Sequence, residues 1–211
     1  LMRKSVQSSP LRCPNSKATE KMLEEIQKVR KKGDTLGGFI EIRAQHICPG
    51  LGSFSQWNQK IDSRLAAAIM GIPGIKGVEI GDGFKLASKS GSAVHDKILY
   101  SENEKKIKRS SNHAGGVEGG LTNGQDIFIR AAMKPIPTLG KPLPSIDLKT
   151  HNETKANTMR GDACAVPACA IICESMIALV LAETFLERIQ GATLKEVKER
   201  YLTFQMNLRD L

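Results

Sequence analysis

The stretch at positions 113–124, HAGGVEGGLTNG, constrains this chain most, because glycine occupies five of its twelve positions. An ordered glycine loses more backbone entropy on folding than any other residue. The stretch lacks the phosphate-binding patterns GxxxxGKS/T and GxGxxG after a strand. Two explanations stay open: a disordered linker, or a backbone that passes close to a flat ligand or to another backbone. Val117 and Leu121, placed between the glycine pairs, are residues that a linker does not need.

Apolar spacing and helix-ending glycines predict a mixture of helices and strands. The first predicted helix begins at the cap Asn15-Ser16 and ends at Gly33. Two further helices are predicted over 58–70 and 164–187, and a last one begins at the capping box Thr193 to Glu196. The predicted strands cover 36–47, 75–80 and 126–133, and residues 85–112 are predicted to form a long loop or two poorly specified strands. Because helices and strands do not alternate strictly, the sequence predicts an α+β fold with sheets laid against helices.

The chain carries a strong positive charge, with 31 Lys and Arg against 22 Asp and Glu and a formal net charge of +9 at pH 7. Such a balance favours anionic partners: nucleic acid, a membrane surface, or a small phosphorylated or carboxylated ligand. A basic nucleic-acid-binding module is the less favoured alternative. One Trp, two Tyr and six Phe offer few stacking platforms, and no nucleic-acid-binding motif is present.

The most apolar window, 171–186, is predicted to be a buried helix and not a membrane span, because Cys, Glu, Ser and Thr interrupt it. No membrane partner is therefore expected. Five cysteines without a disulfide-type spacing indicate a reducing compartment. Cys164, Cys169 and Cys173 match no zinc or iron–sulfur pattern, so we expect buried structural thiols and no metal site.

Two short motifs follow the glycine-rich stretch. In KPIPT, Lys134 to Thr138, two prolines stiffen a segment that carries a cation and a hydroxyl four residues apart. Such a segment suits a phosphate or the polar edge of a ring, although a plain edge turn has the same pattern. In RGDAC, Arg160 and Asp162 precede the long apolar helix, where Asp162 fits the N-cap or first turn. A helix cap with an exposed arginine is the simpler alternative.

Seven motifs occur in a fixed order along the chain. They are SPLRCPN (9–15), GDTLGG (33–38), PGLG (49–52), RLAAAIMGIPGIKGVEIGDGF (64–84), NHAGGVEGGLTNG (112–124), KPIPT (134–138) and RGDACAVP (160–167). Together they resemble the second half of chorismate synthase; the resemblance covers nearly the whole chain and is weakest across 85–111. It implies an α+β fold with helices sandwiched between antiparallel sheets. Residues 1–211 would form the C-terminal part of a single domain, with 85–111 as a variable loop.

The resemblance implies a carbon–oxygen lyase of aromatic amino acid biosynthesis. Members of the family remove phosphate and a ring proton from 5-enolpyruvylshikimate-3-phosphate in an anti-1,4 elimination, which gives chorismate and needs reduced FMN without net redox change. NADPH is the electron source in some members, and others rely on outside reduction. The net charge of +9 is consistent with a site for an anionic substrate and an anionic cofactor.

The matching motifs imply the site residues. Gly119 would lie against the flavin, where a side chain would block the approach. Cofactor binding falls to Pro73, Gly74, Lys134, Pro135, Ile136, Pro137, Thr138 and Arg160. Arg160 would also face the substrate, and Asp162 would be the catalytic proton acceptor near the flavin N5. His113 is expected to make an orienting hydrogen bond within its turn.

The chain also departs from the family pattern. The family's N-terminal half, with its catalytic histidines, substrate-binding arginines and RSS-type FMN segment, has no counterpart here, and RSS at 109–111 is not that segment. Ala168 stands where many members carry arginine. The resemblance therefore implies a homotetramer that is active only with the N-terminal half, in cis or in trans. A catalytically inactive fragment is the alternative. Cytoplasm is the expected location, or a plastid if the source is eukaryotic.

Overall fold

Helices and short strands are mixed along the chain, in a computed structural model that describes residues 2–102, 106–159 and 161–209. The helices are α1 (Met2–Ser8), α2 (Ser16–Lys31), α3 (Ile61–Met70), α4 (Gly91–Val94), α5 (Val166–Ile189) and α6 (Leu194–Arg209). The strands are β1 (Gly38–Ala44), β2 (Ile75–Ile80), β3 (Ile98–Ser101), β4 (Lys106–Arg109), β5 (Val117–Glu118), β6 (Leu121–Thr122), β7 (Ile127–Met133), β8 (Pro144–Ile146) and β9 (Glu153–Lys155). Short 3₁₀ helices cover Trp57–Gln59 and Gly83–Ser88.

The strands form one three-stranded sheet in the order β1-β7-β2 and three two-stranded antiparallel hairpins, β3–β4, β5–β6 and β8–β9. This combination of helices and small antiparallel sheets confirms the predicted α+β class. The chain divides into two compact units. Unit 1 consists of Leu1–Ile40, Pro73–Lys76 and Ala132–Ile172, and unit 2 consists of Glu41–Ile72, Gly77–Ala131 and Cys173–Leu211.

In unit 1, helix α2 begins where the sequence predicts. The side chain of Asn15 accepts a hydrogen bond from Ala18 N at 3.0 Å, so one of the unpaired N–H groups of the first turn is satisfied. Gly33 follows the helix with a φ of 66°, a conformation that glycine adopts without strain. The predicted cap and stop are confirmed.

In unit 2, the core forms around α3 and β7. Ile61, Leu65 and Ile69 repeat along one face of α3 and are fully buried. Strand β7 alternates buried and half-buried positions, and Ile127 and Ile129 are its large, fully buried residues in this unit. Each of these side chains contributes about 1.5–3 kcal/mol by leaving water.

Helix α5 begins two residues later than predicted, and Asp162 is not its N-cap. Leu36 N donates to Ala163 O at 2.7 Å, and Leu36 forms a parallel bridge with Cys164. Since these main-chain pairings hold Ala163 and Cys164 against Leu36 and outside the helix, α5 starts only at Val166. The prediction that Asp162 caps the helix was wrong, because it ignored a contact with a residue far away in the sequence.

The prediction that 171–186 is a buried helix was also wrong. Only 22% of the apolar window of α5 is buried in this chain. The large exposed side chains are Ile171, Ile172, Leu179 and Leu186. By length and composition, α5 is the one helix in the described part that could cross a membrane, and a single helix of this kind is weak evidence for a membrane span.

Three local features complete the comparison with the sequence. Residues 98–101 and 106–109 pair as strands β3 and β4, so the second of the two predictions for this region, a pair of strands, is the correct one. The β8–β9 hairpin was not predicted, since prolines precede it and Pro144 is its first residue. Cys169 and Cys173 are buried and Cys164 is half-buried. None of the three is in a disulfide bond, and the described residues contain no group of metal ligands.

Candidate functional site

In unit 1, the KPIPT segment continues directly from the end of β7 and lies against Pro73-Gly74. Lys134 N donates to Gly74 O at 2.9 Å. Gly74 has a φ of 89°, and a Cβ there would lie 3.1 Å from Met133 Cε. The structure therefore brings two of the predicted FMN-binding segments together through a backbone hydrogen bond, although they are 60 residues apart in the sequence.

A third segment, the GDTLGG turn at 33–38, supports KPIPT from behind. Thr35 is buried, and its Oγ1 donates to Ile136 O at 2.8 Å. A Cβ on Gly37 would collide with the carbonyl oxygen of Met133, so only glycine permits this approach. GDTLGG is one of the seven motifs of the family resemblance, but nothing in the sequence pointed to Thr35 as a supporting residue. Its partner is 101 positions away, so no local pattern could have shown it.

The same turn is fixed to the residues that follow KPIPT. Gly140 N and Lys141 N both donate to Gly33 O, at 2.9 and 3.1 Å. Lys141 Nζ binds Asp34 Oδ2 at 2.8 Å. The hydrogen bond from Lys141, followed by that from Thr35 N, holds the pKa of Asp34 below its ordinary value. The turn and the segment are thus joined on both sides of Thr138.

Residues 161–162 meet KPIPT at Thr138. A Cβ on Gly161 would lie 2.6 Å from Thr138 Oγ1, a distance that real side chains do not reach. Asp162 comes next and is exposed, and the bond between Leu36 and Ala163 fixes the chain immediately after it. Arg160 lies outside the described residues.

The chemical groups that this arrangement leaves available are a cation, a hydroxyl and a carboxylate. Lys134 is exposed, and no carboxylate in the described ranges pairs with it. Thr138 is half-buried and Asp162 is exposed. An unpaired ammonium beside a hydroxyl on a stiff backbone is suited to an anionic group such as a phosphate.

In unit 2, the glycine-rich stretch is ordered and forms the β5–β6 hairpin. Glu118 pairs with Leu121, and the two residues between them, Gly119 and Gly120, have φ values of 60° and 87°. Positive φ at both central positions is typical of the type I′ turn that matches the twist of a two-stranded hairpin. The linker explanation is therefore wrong.

Most of the glycines in this stretch are needed because another backbone passes close by. A Cβ on Gly116 would lie 2.6 Å from Asp126 O, and one on Gly120 would lie 2.5 Å from Ser53 O. A Cβ on Gly115 would collide with Gly81. Gly119 is different, because it is exposed and a Cβ there would meet nothing within 4 Å. Close approach of another backbone explains Gly115, Gly116 and Gly120, whereas Gly119 faces open space.

His113 makes an orienting contact, but its partner lies outside its own turn, where the hydrogen bond was expected. Its Nδ1 lies 2.7 Å from Asp82 Oδ2, and its carbonyl oxygen accepts a hydrogen bond from Asp82 N at 2.9 Å. Both side chains are partly exposed. The pair fixes the start of the glycine-rich stretch to the turn that follows β2.

A cavity of about 430 Å³ in unit 2 is lined by none of the predicted site residues. Its polar lining is Gly52, Ser53, Asn58, Gln59, Arg64 and Glu187. Arg64 binds Glu183 at 2.8 Å and Glu187 at 2.5 Å, so its charge is already compensated. The cavity offers no reactive group, and we do not assign the site to it.

Comparison with known proteins points to one family. Residues 2–186 match the family model described as chorismate synthase. The chain is 48% identical over 205 residues to the chorismate synthase of Desulforamulus reducens, a match that covers 97% of this chain and 53% of the relative. It is 46% identical over 208 residues to that of Syntrophomonas wolfei, a match that covers 99% of this chain and 52% of the relative.

A solved crystal structure of a chorismate synthase is similar over all of this chain. The TM-score is 0.83 at 40% sequence identity, and the match covers 100% of this chain and 55% of that chain. These findings confirm the resemblance seen in the seven motifs. The chain spans about half the length of the relatives it matches.

Proposed function

Since the chain belongs to the chorismate synthase family, we propose that it forms the flavin-holding wall of a chorismate synthase active site. Together with the N-terminal half of the enzyme it would eliminate phosphate from 5-enolpyruvylshikimate-3-phosphate and release chorismate. We call this combination, in one chain or two, the joined protein. The proposal follows from the relatives, which are about twice as long as this chain.

One observation carries the proposal most directly. Pro73-Gly74, the KPIPT segment and residues 161–162 are separate in sequence, yet unit 1 holds them together by the bond from Lys134 to Gly74 and the approach of Gly161 to Thr138. These are the segments for which the family resemblance implies cofactor binding and catalysis. An arrangement maintained by hydrogen bonds and by the close approach of Gly161 to Thr138 supports a binding role over a plain edge turn.

The residues present fit FMN. Lys134 is an exposed cation without an acidic partner in the described part of the chain, and Thr138 adds a hydroxyl, so the two suit the anionic and polar groups of the cofactor. Gly119 has open space where a side chain would stand, as a flat ligand requires. When bound, reduced FMN would supply electron density for the departure of the phosphate, without net redox change.

The residues of this chain would bind the cofactor and move a proton. Lys134 would neutralise negative charge, and the two prolines around Ile136 would keep the segment rigid. Asp162 would accept the ring proton on its carboxylate. In the substrate, the carbon–oxygen bond to phosphate and one carbon–hydrogen bond break and a double bond forms, so electrons balance without net oxidation.

Further parts of the proposal rest on the family alone. Arg160 would contact cofactor and substrate. NADPH would be an electron source for the flavin where the enzyme reduces its own cofactor. Homotetramer assembly and a cytoplasmic location are the expected state, and the relatives named above are bacterial enzymes.

The test is chorismate formation by the joined protein, measured with 5-enolpyruvylshikimate-3-phosphate and reduced FMN under anaerobic conditions. We expect activity that is lost when FMN is omitted and that falls about 100- to 10,000-fold in Asp162→Asn, because the general base is removed. Asp147→Asn is the matched control, since it makes the same change at another exposed aspartate of unit 1.

Two results would contradict the proposal. Joined protein that folds and binds FMN but forms no chorismate would support the alternative of a catalytically inactive fragment. Asp162→Asn that turns over as fast as Asp147→Asn would remove Asp162 from the mechanism.

A further inference from the structure

The segment from α4 to β4 resembles the family least, yet it delivers two charged side chains to the glycine-rich stretch. The first is Asp96, a carboxylate that is 7% exposed. It accepts hydrogen bonds from Ser111 Oγ at 2.5 Å, His113 N at 2.8 Å and Ala114 N at 3.0 Å. Asp96 therefore fixes the backbone at the point where the glycine-rich stretch begins.

The environment of Asp96 favours its ionised form. Burial acts to raise the pKa of this carboxyl, but the hydrogen bonds from Ser111, Ala114 and His113 outweigh it and hold the pKa below its ordinary value. A buried carboxylate with three donors is a strong and directional anchor, because hydrogen bonds to charged groups are stronger than neutral ones.

The second side chain is Arg109, at the end of β4. One nitrogen donates to Asp96 O at 3.3 Å, and another binds Glu118 Oε2 at 2.5 Å. Glu118 is the residue directly before Gly119. Arg109 thus links Asp96, which fixes the start of the glycine-rich stretch, to Glu118, which precedes the exposed tip at Gly119.

The β3–β4 hairpin holds Arg109 in this position. Ile98 pairs with Arg109 in the antiparallel register, and Ser110 N donates to Lys97 O at 3.0 Å just beyond it. The side chain of Arg109 is only 20% exposed. Because the backbone of Arg109 is already paired in the hairpin, its side chain loses little further conformational entropy when the guanidinium binds its two partners.

We propose that Asp96 and Arg109 are positioning residues that set the place of Gly119. Gly119 has no contact of its own at the Cβ position, so its location depends on its two neighbours. Gly120 is fixed against Ser53, and Glu118 is fixed by Arg109. The segment from α4 to β4 would thus have a role in the proposed function, because it holds the turn at which the flavin would lie. This part of the inference rests on the proposed function.

The first test needs no flavin. Hydrogen exchange measured by mass spectrometry on the 211-residue chain would compare Arg109→Gln with Arg64→Gln. The control also removes an arginine with carboxylate partners and a similar exposed fraction, 17% against 20%, and those partners, Glu183 and Glu187, lie on α5 outside the β5–β6 hairpin. We expect exchange over 113–122 to rise about tenfold in Arg109→Gln only, the effect of losing a hydrogen bond to a charged group.

Unchanged exchange over 113–122 in Arg109→Gln would overturn the proposal. Should that variant fail to fold, Glu118→Gln removes the same ion pair with a side chain of the same shape, and the same prediction applies to it. Faster exchange everywhere, including α3 and β7, would also overturn the proposal, because it would show general destabilisation in place of a local anchor.

The second test is FMN affinity of the joined protein, followed by flavin fluorescence. We expect Arg109→Gln to weaken FMN binding about tenfold and Arg109→Lys to restore part of it, since lysine keeps the charge at Glu118 but not both partners. Unchanged affinity together with faster exchange would overturn the link to the flavin. A wild-type joined protein that binds no FMN would contradict the proposed function instead, and the exchange experiment would still decide whether Arg109 anchors the turn.

Discussion

The KPIPT segment of unit 1 and the glycine hairpin of unit 2 use charge in opposite ways. KPIPT is held by neutral hydrogen bonds, from Lys134 N to Gly74 O and from Thr35 Oγ1 to Ile136 O, and its lysine has no acidic partner in the described residues. Around the hairpin, Asp96, Arg109 and Glu118 bind within their own network, and the tip is a bare glycine.

This difference separates two ways in which a segment can contribute to ligand binding. A segment held by neutral bonds keeps its charged group available for a ligand, whereas a turn held by charged groups offers only its shape. The hydroxyl of Thr35 and the guanidinium of Arg109 then have equivalent roles, since each supports a segment that the ligand would contact. The predictions below test this separation.

The largest effect is expected at the lysine. In the joined protein, Lys134→Gln should weaken FMN binding by roughly a hundredfold, because a charge-assisted contact is lost while the backbone bond to Gly74 remains. Lys149→Gln, the same change at another exposed lysine of unit 1, should leave FMN affinity unchanged. Isothermal titration with FMN measures both. Equal affinities of the two variants would show that KPIPT does not supply charge.

A smaller effect, on stability, is expected at Asp96. In Asp96→Asn an amide NH₂ would face backbone N–H donors, so we expect the free energy of unfolding to fall by about 2 kcal/mol at pH 7. Urea unfolding of wild type and variant gives the difference, provided that the transition is two-state.

The pH dependence of this difference follows from the lowered pKa of Asp96. A depressed folded-state pKa stabilises the fold at pH above the unfolded-state value of about 3.9, and the stabilisation is lost as pH falls through the folded value. The gap between wild type and Asp96→Asn should therefore shrink below about pH 4. A gap that stays constant from pH 7 into strong acid would show that the carboxylate charge is not involved.

The smallest effect is expected at the hairpin tip. Gly119→Val in the joined protein should weaken FMN binding roughly tenfold, because the added side chain occupies space that the flavin would need. Any side chain is strained at a φ of 60°, so Gly124→Val, at an exposed position of the same stretch with a φ of 85°, controls for strain. If both variants bind FMN equally well, the tip does not touch the cofactor.

Local signals in the sequence predicted the elements that depend on local chemistry. The Asn15 cap and the stop at Gly33 define α2, and the strand at 75–80 has the predicted bounds, because capping residues and turn glycines act on their immediate neighbours. Asp162 was misplaced on the helix because Leu36, far away in sequence, pairs with Ala163 and Cys164 and keeps them out of the helix.

The candidate site shows the same division. Its motifs could be identified in the sequence, whereas the residues that hold those motifs in place could not. Thr35 reaches Ile136, and Asp96 reaches His113 and Ala114, only after folding brings distant segments together. The reason for most of the glycines is likewise a tertiary contact, such as Gly116 against Asp126, which no spacing rule contains.

The salt dependence of FMN affinity in the joined protein tests most directly whether KPIPT supplies charge and the hairpin supplies shape. The account predicts that affinity falls with ionic strength in wild type, falls with the same slope in Gly119→Val, and falls clearly less in Lys134→Gln, because only that variant removes a charge from the flavin contact. A Lys134→Gln slope equal to that of wild type would contradict the account.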